Sequence, residues 1–146
     1  MKAEIYTDGS CIGNPGPGGW AFLLRTSQHG GGESKKETRK QGGTAYTTNN
    51  RMELSAVIEG LKWLGKEHPA IKEITIFSDS SWVVNTMKVN WKRKKNLDLW
   101  AELAPLLEGK QIDWQWVRGH NGHKENEDCD VRANREAYKQ RNKGGE

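Results

Sequence analysis

The order in which the periodicity of apolar residues changes along the chain constrains its fold most. Three strand-like segments come first, an alternating one at Ala3–Thr7, an apolar one at Trp20–Thr26 and a stretch that ends near Thr47. Helical segments with an apolar stripe follow, separated by two more strand-like segments. Strands joined by turns favour antiparallel pairing, whereas strands joined by helices favour parallel pairing. We therefore expect an α/β fold in which a mixed five-stranded sheet, an antiparallel hairpin ladder plus parallel strands, is flanked by helices.

Local signals give the expected bounds of the other elements. A shared apolar face and a following proline predict a helix over Asn49–His68. The glycines and prolines of Gly13–Gly19 predict a rigid turn, and Gln28–Gly43 is expected to form a long hairpin tip. The remaining predictions are a strand over Ile71–Phe77, helices over Ser80–Met87 and Leu97–Leu107, a strand around Ile112–Trp116, and a last helix from Lys124 to about Arg141.

Length and composition are compatible with one domain that binds nucleic acid. The 146 residues carry a net charge of +4, and bases concentrate at Lys88 and Lys92–Lys95, a segment that could equally be a solvated loop. The spacing of Cys11 and Cys129 fits neither a disulfide framework nor a metal-binding pair, so we expect free thiols in the reducing cytoplasm. No signal peptide is expected, and no apolar run is long enough to cross a membrane.

Four acidic residues stand in local settings that suggest a shared site. Asp8 and Asp79 each follow a predicted strand. If these strands are adjacent and parallel, both carboxylates lie at the carboxyl ends of the sheet, where open α/β sheets bind ligands. Glu53 lies at the edge of the apolar face of the first helix, and Asp130 lies on the last helix. Taken singly, Asp79 could be a helix N-cap and Asp130 a solvated charge.

A cluster of these four carboxylates would be strongly repulsive unless cations bound to it. Mg²⁺ and Mn²⁺ are suited to such a cluster because they prefer oxygen ligands. A carboxylate cluster that binds such ions suggests metal-assisted attack on a phosphodiester.

Five long motifs occur in order over nearly the whole chain, at Tyr6–Gly19, Thr47–Leu54, Ser78–Ser80, Asn96–Trp100 and Trp116–Glu127. Together they resemble the motifs of type 1 ribonuclease H, of the bacterial kind. The resemblance implies a ribonuclease H-like fold and a single ribonuclease H domain over residues 1–146. It also implies an endoribonuclease that hydrolyses the RNA strand of RNA–DNA hybrids by a two-metal-ion mechanism, giving 5′-phosphate and 3′-hydroxyl ends. The expected partner is the hybrid duplex, with no membrane, and the protein is expected to be a cytoplasmic monomer.

The same resemblance assigns roles to the acids and to a histidine. One Mg²⁺ ion, for which Mn²⁺ could substitute, would be held by Asp8 and Asp130, and a second by Asp8, Glu53 and Asp79. His120 matches the mobile catalytic histidine of the family, with His123 as its rival in the same glycine-rich loop.

Further residues match the substrate-binding positions of the family. Asn14, Asn49 and Asn50 would contact the backbone and sugars of the hybrid, while Thr48 and Asn96 resemble a phosphate pocket for the DNA strand. These polar residues could equally cap turns and helices. The basic handle of many bacterial relatives is shortened here to a short segment whose bases, Lys92, Arg93, Lys94 and Lys95, are candidate nucleic-acid contacts.

Two alternative functions are open. A resolvase or an integrase-like nuclease could use a similar acidic cluster on the same fold, and a non-catalytic module could bind hybrids without cleaving them. The last helix offers a further hypothesis, because Arg132, Arg135 and Lys139 are spaced to share one basic face for the hybrid. A solvated terminus is the other interpretation of that face.

Overall fold

The computed structural model describes residues 1–27, 36–90, 92–118 and 123–144. Within these ranges five strands and four helices form, and their order agrees with the order predicted from the sequence. The elements are β1 Lys2–Cys11, β2 Gly16–Ser27, β3 Lys36–Thr47, α1 Asn49–Glu67, β4 Glu73–Ser78, α2 Ser81–Lys88, α3 Leu97–Leu107, β5 Gln111–Trp116 and α4 Lys124–Gly144.

The strands form one mixed sheet with the order β3-β2-β1-β4-β5. β1 pairs antiparallel with β2, and β2 pairs antiparallel with β3. β4 pairs parallel with β1 on one side and with β5 on the other. The mixed five-stranded sheet is therefore confirmed, and so is the adjacent parallel arrangement of the first and fourth strands.

The alternation of side chains in the central strands divides the core between the two faces of the sheet. Ile5 and Phe22 point to one face, where α1, α2 and α3 contribute to the larger apolar cluster. Tyr6 and Leu23 point to the other face and pack against Cys129 and other small residues of α4. The sheet is thus covered by α1, α2 and α3 on one side and by α4 on the other.

The glycine- and proline-rich segment differs from the prediction, because Gly16–Gly19 belongs to β2 and is not a turn. A Cβ atom on Gly19 would lie only 2.2 Å from the carbonyl oxygen of Ala133, so the missing side chain lets α4 approach the strand. Pro17 lies where the register of β2 against β3 shifts, a position at which a strand tolerates a residue without an N–H group. Gly19 therefore permits close packing between β2 and α4.

The predicted hairpin tip is also shorter than expected. Lys36–Gly43 forms part of β3 and pairs with β2, whereas residues 28–35 lie outside the described residues. Charged side chains support this edge strand, since Arg25 Nη2 is 2.9 Å from Glu37 Oε1 in the paired position. The mixed charge that favoured a loop is accommodated on the exposed side of the strand.

The two cysteines do not form a disulfide. Cys11 and Cys129 are both free, and burial raises the pKa of Cys129 to about 12.

None of the helices in the described ranges has the length and apolar character needed to span a membrane.

Arg132 fastens α4 to the sheet and does not lie on a solvent-facing basic surface. Its Nη2 donates to the carbonyl of Phe22, and its Nη1 donates to that of Lys40, both at 2.9 Å. Nη1 also donates to Gln41 Oε1 at 3.0 Å, and Nε donates to Asp128 Oδ2 at 3.1 Å. Only 11% of its side chain is exposed. The predicted shared basic face is therefore wrong for Arg132, because its donors are used within the fold.

Arg132→Met should lower the free energy of unfolding by about 1–3 kcal/mol, since it removes the hydrogen bonds of a charged donor to β2 and β3. Arg135→Met is the matched control, because Arg135 is exposed on the same helix, and it should change stability by less than about 0.5 kcal/mol. Urea unfolding measures both. Equal effects of the two variants would contradict the structural role of Arg132.

Candidate active site

The parallel pairing of β1 and β4 brings Asp8 and Asp79 together at one edge of the sheet. Thr7 is opposite Ser78 at the end of the pairing between β1 and β4, so Asp8 and Asp79 are the next residues of the two chain segments. Asp79 follows β4, but β1 continues beyond Asp8 to Cys11 in its pairing with β2, so the predicted end of the first strand at Thr7 is wrong. Asp8 is 3% exposed, and its Oδ1 accepts a hydrogen bond of 2.9 Å from the N–H of Gly9. The sequence-based expectation that both carboxylates meet at this edge is confirmed.

A close approach between β1 and α1 adds Glu53 to the pair. A Cβ atom on Gly9 would lie 2.3 Å from the backbone nitrogen of Glu53, which only a glycine avoids. The side chain of Glu53 is consequently buried next to the strand ends, at 4% exposure. Carboxylate oxygens of Asp8, Glu53 and Asp79 all lie within 4.8 Å of one another.

Asp130 reaches the same region from the opposite face of the sheet. Its Oδ1 accepts a hydrogen bond of 3.2 Å from Asn134 Nδ2, one turn later in α4. Asn134 Oδ1 in turn accepts from the hydroxyl of Ser10 in β1, so a hydrogen-bonded chain ties the helix to the strand that carries Asp8. Asp130 is outside the group of three, but its negative charge contributes to the raised pKa of Asp8.

The electrostatics of the group are those of buried like charges. Burial, followed by the charge of Asp79, raises the pKa of Asp8 to about 9. Burial, and then the charges of Asp8 and Asp79, raises the pKa of Glu53 well above its ordinary value. The pKa of Asp79 is also raised, chiefly by burial. Without a compensating cation, the folded protein therefore favours protonated carboxyl groups at this site.

The donor set fits a hard divalent cation. Glu53 Oε2 and Asp79 Oδ1 are buried and have no hydrogen-bond partner among the described residues, although buried polar atoms are normally paired. A metal ion would satisfy both oxygens and offset the repulsion at once. Such ions take oxygen ligands from carboxylates.

The residues predicted to contact the hybrid surround the N-terminus of α1. Thr48 caps this helix, because its Oγ1 accepts from the N–H of Arg51 at 3.3 Å. Asn14 Oδ1 accepts a hydrogen bond of 2.9 Å from the N–H of Asn49, which joins the loop after β1 to the start of α1. Asn50 is exposed beside them.

Asn96 joins this group through Arg51. Asn96 precedes α3 in a left-handed conformation with φ 58° and makes no side-chain cap. Its Oδ1 instead accepts from Arg51 Nη1 at 3.2 Å. Thr48 and Asn96 are therefore both hydrogen-bonded to one residue. Arg51 was not predicted to have a role, although Arg51 and Asp98, its partner in a bidentate ion pair, lie inside two of the motifs.

The four bases of the shortened handle differ in their environments. Lys92, Lys94 and Lys95 are exposed. The guanidinium of Arg93 lies 5.1 Å from the ring centre of Trp100, and its Nη2 donates to the sulfur of Met87 at 3.5 Å. Arg93 is also exposed, so all four candidate contacts are accessible to solvent, and Arg93 in addition contacts α2 and α3.

The two candidate histidines are not distinguished by the structure. His120 lies outside the described residues. His123 is exposed, and its carbonyl accepts from the N–H of Glu127 at 2.9 Å. The choice of His120 stays a prediction. Another neighbour that the sequence analysis missed is Trp116, whose indole N–H donates to the carbonyl of Asp79 at 3.2 Å.

The raised pKa values predict how the stability of the metal-free protein depends on pH. The pKa of Asp8 rises from 3.8 to about 9, so between these values the folded protein holds protons that the unfolded chain releases. The free energy of unfolding should therefore fall as pH rises through this window. Asp8→Asn should weaken this dependence and raise Tm by about 3–6 °C at pH 8.5 in EDTA.

Thermal unfolding at pH 5.5 and 8.5 tests this expectation. Asp113→Asn is the control because Asp113 is exposed on β5, and it should leave the pH dependence unchanged. The same fall in Tm in wild type and Asp8→Asn would argue against a repulsive cluster.

Comparisons with known proteins agree with this geometry. The sequence profile of the RNase H family matches residues 1–138. A ribonuclease H of Helicobacter pylori is 46% identical over 147 residues, covering 95% of each chain. The solved structure of LC9-RNase H1, a type 1 RNase H with the type 2 active-site motif, has a TM-score of 0.81 and 33% identity, covering 95% of this chain and 73% of that chain.

A third comparison supports the fold alone. The crystal structure of LC11-RNase H1 in complex with an RNA/DNA hybrid has a TM-score of 0.73 at 24% identity, over 94% of this chain and 97% of that one. The family profile and the identity to a relative of the same length are specific to one group of proteins. The chain therefore belongs to the RNase H family, as a type 1 ribonuclease H.

Proposed function

We propose that this protein is an endoribonuclease that hydrolyses the RNA strand of RNA–DNA hybrids and leaves 5′-phosphate and 3′-hydroxyl ends. The observation that carries the proposal is the group of buried Asp8, buried Glu53 and half-buried Asp79, whose oxygens lie within 4.8 Å of one another in a member of the RNase H family. Its relatives are ribonucleases H by name, and one protein of the same fold was solved with an RNA/DNA hybrid.

The proposed cofactor is Mg²⁺, with two ions bound in the presence of substrate and Mn²⁺ as a possible substitute. Asp8 and Asp130 would hold one ion, and Asp8, Glu53 and Asp79 the other. The unpartnered oxygens of Glu53 and Asp79 support this assignment. When bound, such ions supply an activated water and stabilise the charge that develops on the phosphodiester.

The residues of the chain prepare this chemistry by position. Asp8 is common to both proposed ligand sets and is held by the N–H of Gly9. The bond from Asn134 orients Asp130, and the bond from the indole of Trp116 fixes the backbone of Asp79. Ligands held in this way need little reorganisation when substrate binds.

The proposed substrate contacts lie around the start of α1. The amides of Asn14, Asn49 and Asn50 are suited to the sugars and backbone of the hybrid, where only the RNA strand offers a 2′-hydroxyl. Thr48 and Asn96 are proposed to bind a phosphate of the DNA strand. The exposed bases are proposed to add sequence-independent attraction for the backbone.

All four acids come from one chain, which supports a monomer with a single ribonuclease H domain as the active form. The two free thiols support the cytoplasm as its compartment. A module that only binds hybrids would gain nothing from buried, mutually repelling carboxylates, so the cluster favours catalysis over that alternative. A different nuclease on the same fold would not need the asparagine-rich start of α1.

Cleavage assays on three labelled duplexes test the proposal directly. The protein should cut the RNA strand of an RNA–DNA hybrid in Mg²⁺ and leave duplex RNA and duplex DNA intact, and EDTA should stop the reaction. Asp8→Asn should lower the rate by at least about 10³-fold, which corresponds to about 4 kcal/mol of transition-state stabilisation. Asp113→Asn should retain wild-type activity. Hybrid binding without cleavage, or wild-type cleavage by Asp8→Asn, would refute the proposed mechanism.

Two histidine variants test the proposed proton transfer. His120→Ala should slow cleavage by about 10–100-fold without abolishing it, because general acid–base assistance by a loop residue lies at the low end of its usual range. His123→Ala should have a smaller effect. Single-turnover rates on the same hybrid compare the two, and a larger loss in His123→Ala would transfer the role to His123.

A further inference from the structure

Arg51 connects the two helix N-termini at which the proposed substrate contacts lie. Its backbone N–H donates to Thr48 Oγ1 at the start of α1, and its Nη1 donates to Asn96 Oδ1 at the start of α3. Its Nη1 and Nη2 also donate to the two oxygens of Asp98 at 2.9 and 2.7 Å. One residue therefore bonds to both polar side chains and is itself fixed by a bidentate ion pair.

These bonds determine which atoms of Asn96 face a ligand. A side-chain amide can present either its oxygen or its NH₂ group, but a guanidinium only donates hydrogen bonds. Arg51 therefore holds Oδ1 of Asn96 on its own side, and Nδ2 points away from it. Within the described residues Nδ2 has no acceptor, so both of its hydrogens are available to a ligand.

Arg51 also orients the hydroxyl of Thr48 so that its proton is available to a ligand. A hydroxyl can accept and donate, and Oγ1 of Thr48 already accepts from the N–H of Arg51. Its proton has no acceptor in the part of the chain that the structure describes. Thr48 and Asn96 thus both present donors, next to the positive ends of two helix dipoles.

Arg51 itself is not free to bind an anion as a charge. The carboxylate of Asp98 holds its guanidinium with two short bonds, and the guanidinium bond in turn lowers the pKa of Asp98 to about 2. The pair carries no net charge at neutral pH. The pair therefore contributes by fixing the orientation of Thr48 and Asn96.

We propose that Arg51 and Asp98 form a clamp that orients the donors of Thr48 and Asn96 toward a ligand that only accepts hydrogen bonds, a backbone phosphate of the hybrid. This inference rests on the proposed function and deepens it, because it makes Arg51 a positioning residue for substrate binding. The clamp selects an acceptor at this point and does not itself neutralise the phosphate.

A charge-conserving double variant tests the clamp. Arg51→Met combined with Asp98→Asn removes both charges, and therefore leaves the net charge unchanged while the donors lose their orientation. Hybrid affinity, measured by fluorescence anisotropy in Ca²⁺ to limit cleavage, should fall about tenfold, close to the loss of one good hydrogen bond. The slope of log affinity against log salt should not change, because no cation at a phosphate is lost.

A double-mutant cycle separates positioning from simple helix packing. Asn96→Ala should by itself weaken binding by about tenfold, and adding the clamp variant to it should cause little further loss, since the oriented amide is already absent. Lys62→Met combined with Glu102→Gln is the matched control, because it removes another ion pair between α1 and α3, away from the helix starts, and also leaves the net charge unchanged. Its hybrid affinity should equal that of the wild type.

Several results would overturn the clamp. These are wild-type affinity of the clamp variant or of Asn96→Ala, full additivity in the cycle, an equal loss in the Lys62→Met and Glu102→Gln control, and a salt slope flattened by about 0.7–0.9, the signature of a direct phosphate contact. If the double variant does not fold, Arg51→Lys replaces it. Its ammonium keeps the charge but cannot form the same fork, so wild-type affinity would also refute the clamp.

Cleavage of the hybrid by the wild type in Mg²⁺ distinguishes a failure of the clamp from a failure of the proposed function. Cleavage together with an additive cycle would refute the clamp and leave the proposed function intact. Absence of cleavage would refute the proposed function and the clamp with it.

Discussion

The contact between β1 and α1 at Gly9 is the constraint on which the rest of the site depends. A Cβ atom there would come within 2.3 Å of the backbone of α1, so the helix can approach the strand only because this residue lacks one. That approach buries Glu53 beside Asp8. The position of Asp79 follows from the parallel pairing of β1 with β4. Backbone packing, and not attraction between the side chains, brings the three acids together.

The stability of the fold and the demands of the site act in opposite directions at this contact. Burial raises the pKa values of all three grouped acids, and two of their oxygens have no partner among the described residues. Such an arrangement destabilises a metal-free protein. The apolar clusters on both faces of the sheet supply the opposing free energy. The fold thus keeps the three carboxyl groups in a repulsive arrangement, and a bound divalent cation would reduce that repulsion.

Substrate contacts are organised by a different kind of interaction. Around the starts of α1 and α3, neutral donors are oriented by hydrogen bonds from Arg51, and the ion pair with Asp98 holds that residue in place. On α4, Arg132 uses its donors to fasten the helix to β2 and β3. In both cases the arginine acts through the fixed geometry of its hydrogen-bond donors more than through its charge.

The sequence alone determined the element order, the mixed sheet and, of the four acids predicted to meet, the three that form the group, Asp8, Glu53 and Asp79, because periodicity and motifs are carried by residues close together in the chain. Helix α3 even has the predicted bounds, Leu97–Leu107. Only the tertiary structure decided the roles of residues whose contacts are with residues distant in sequence. Gly16–Gly19 belongs to a strand, where Gly19 admits α4, and hydrogen bonds to carbonyls far away in sequence bury most of the Arg132 side chain. Arg51 gains its role only where Asn96 and Asp98 lie beside it, since spacing along the chain carries no information on which donors and acceptors meet across the fold.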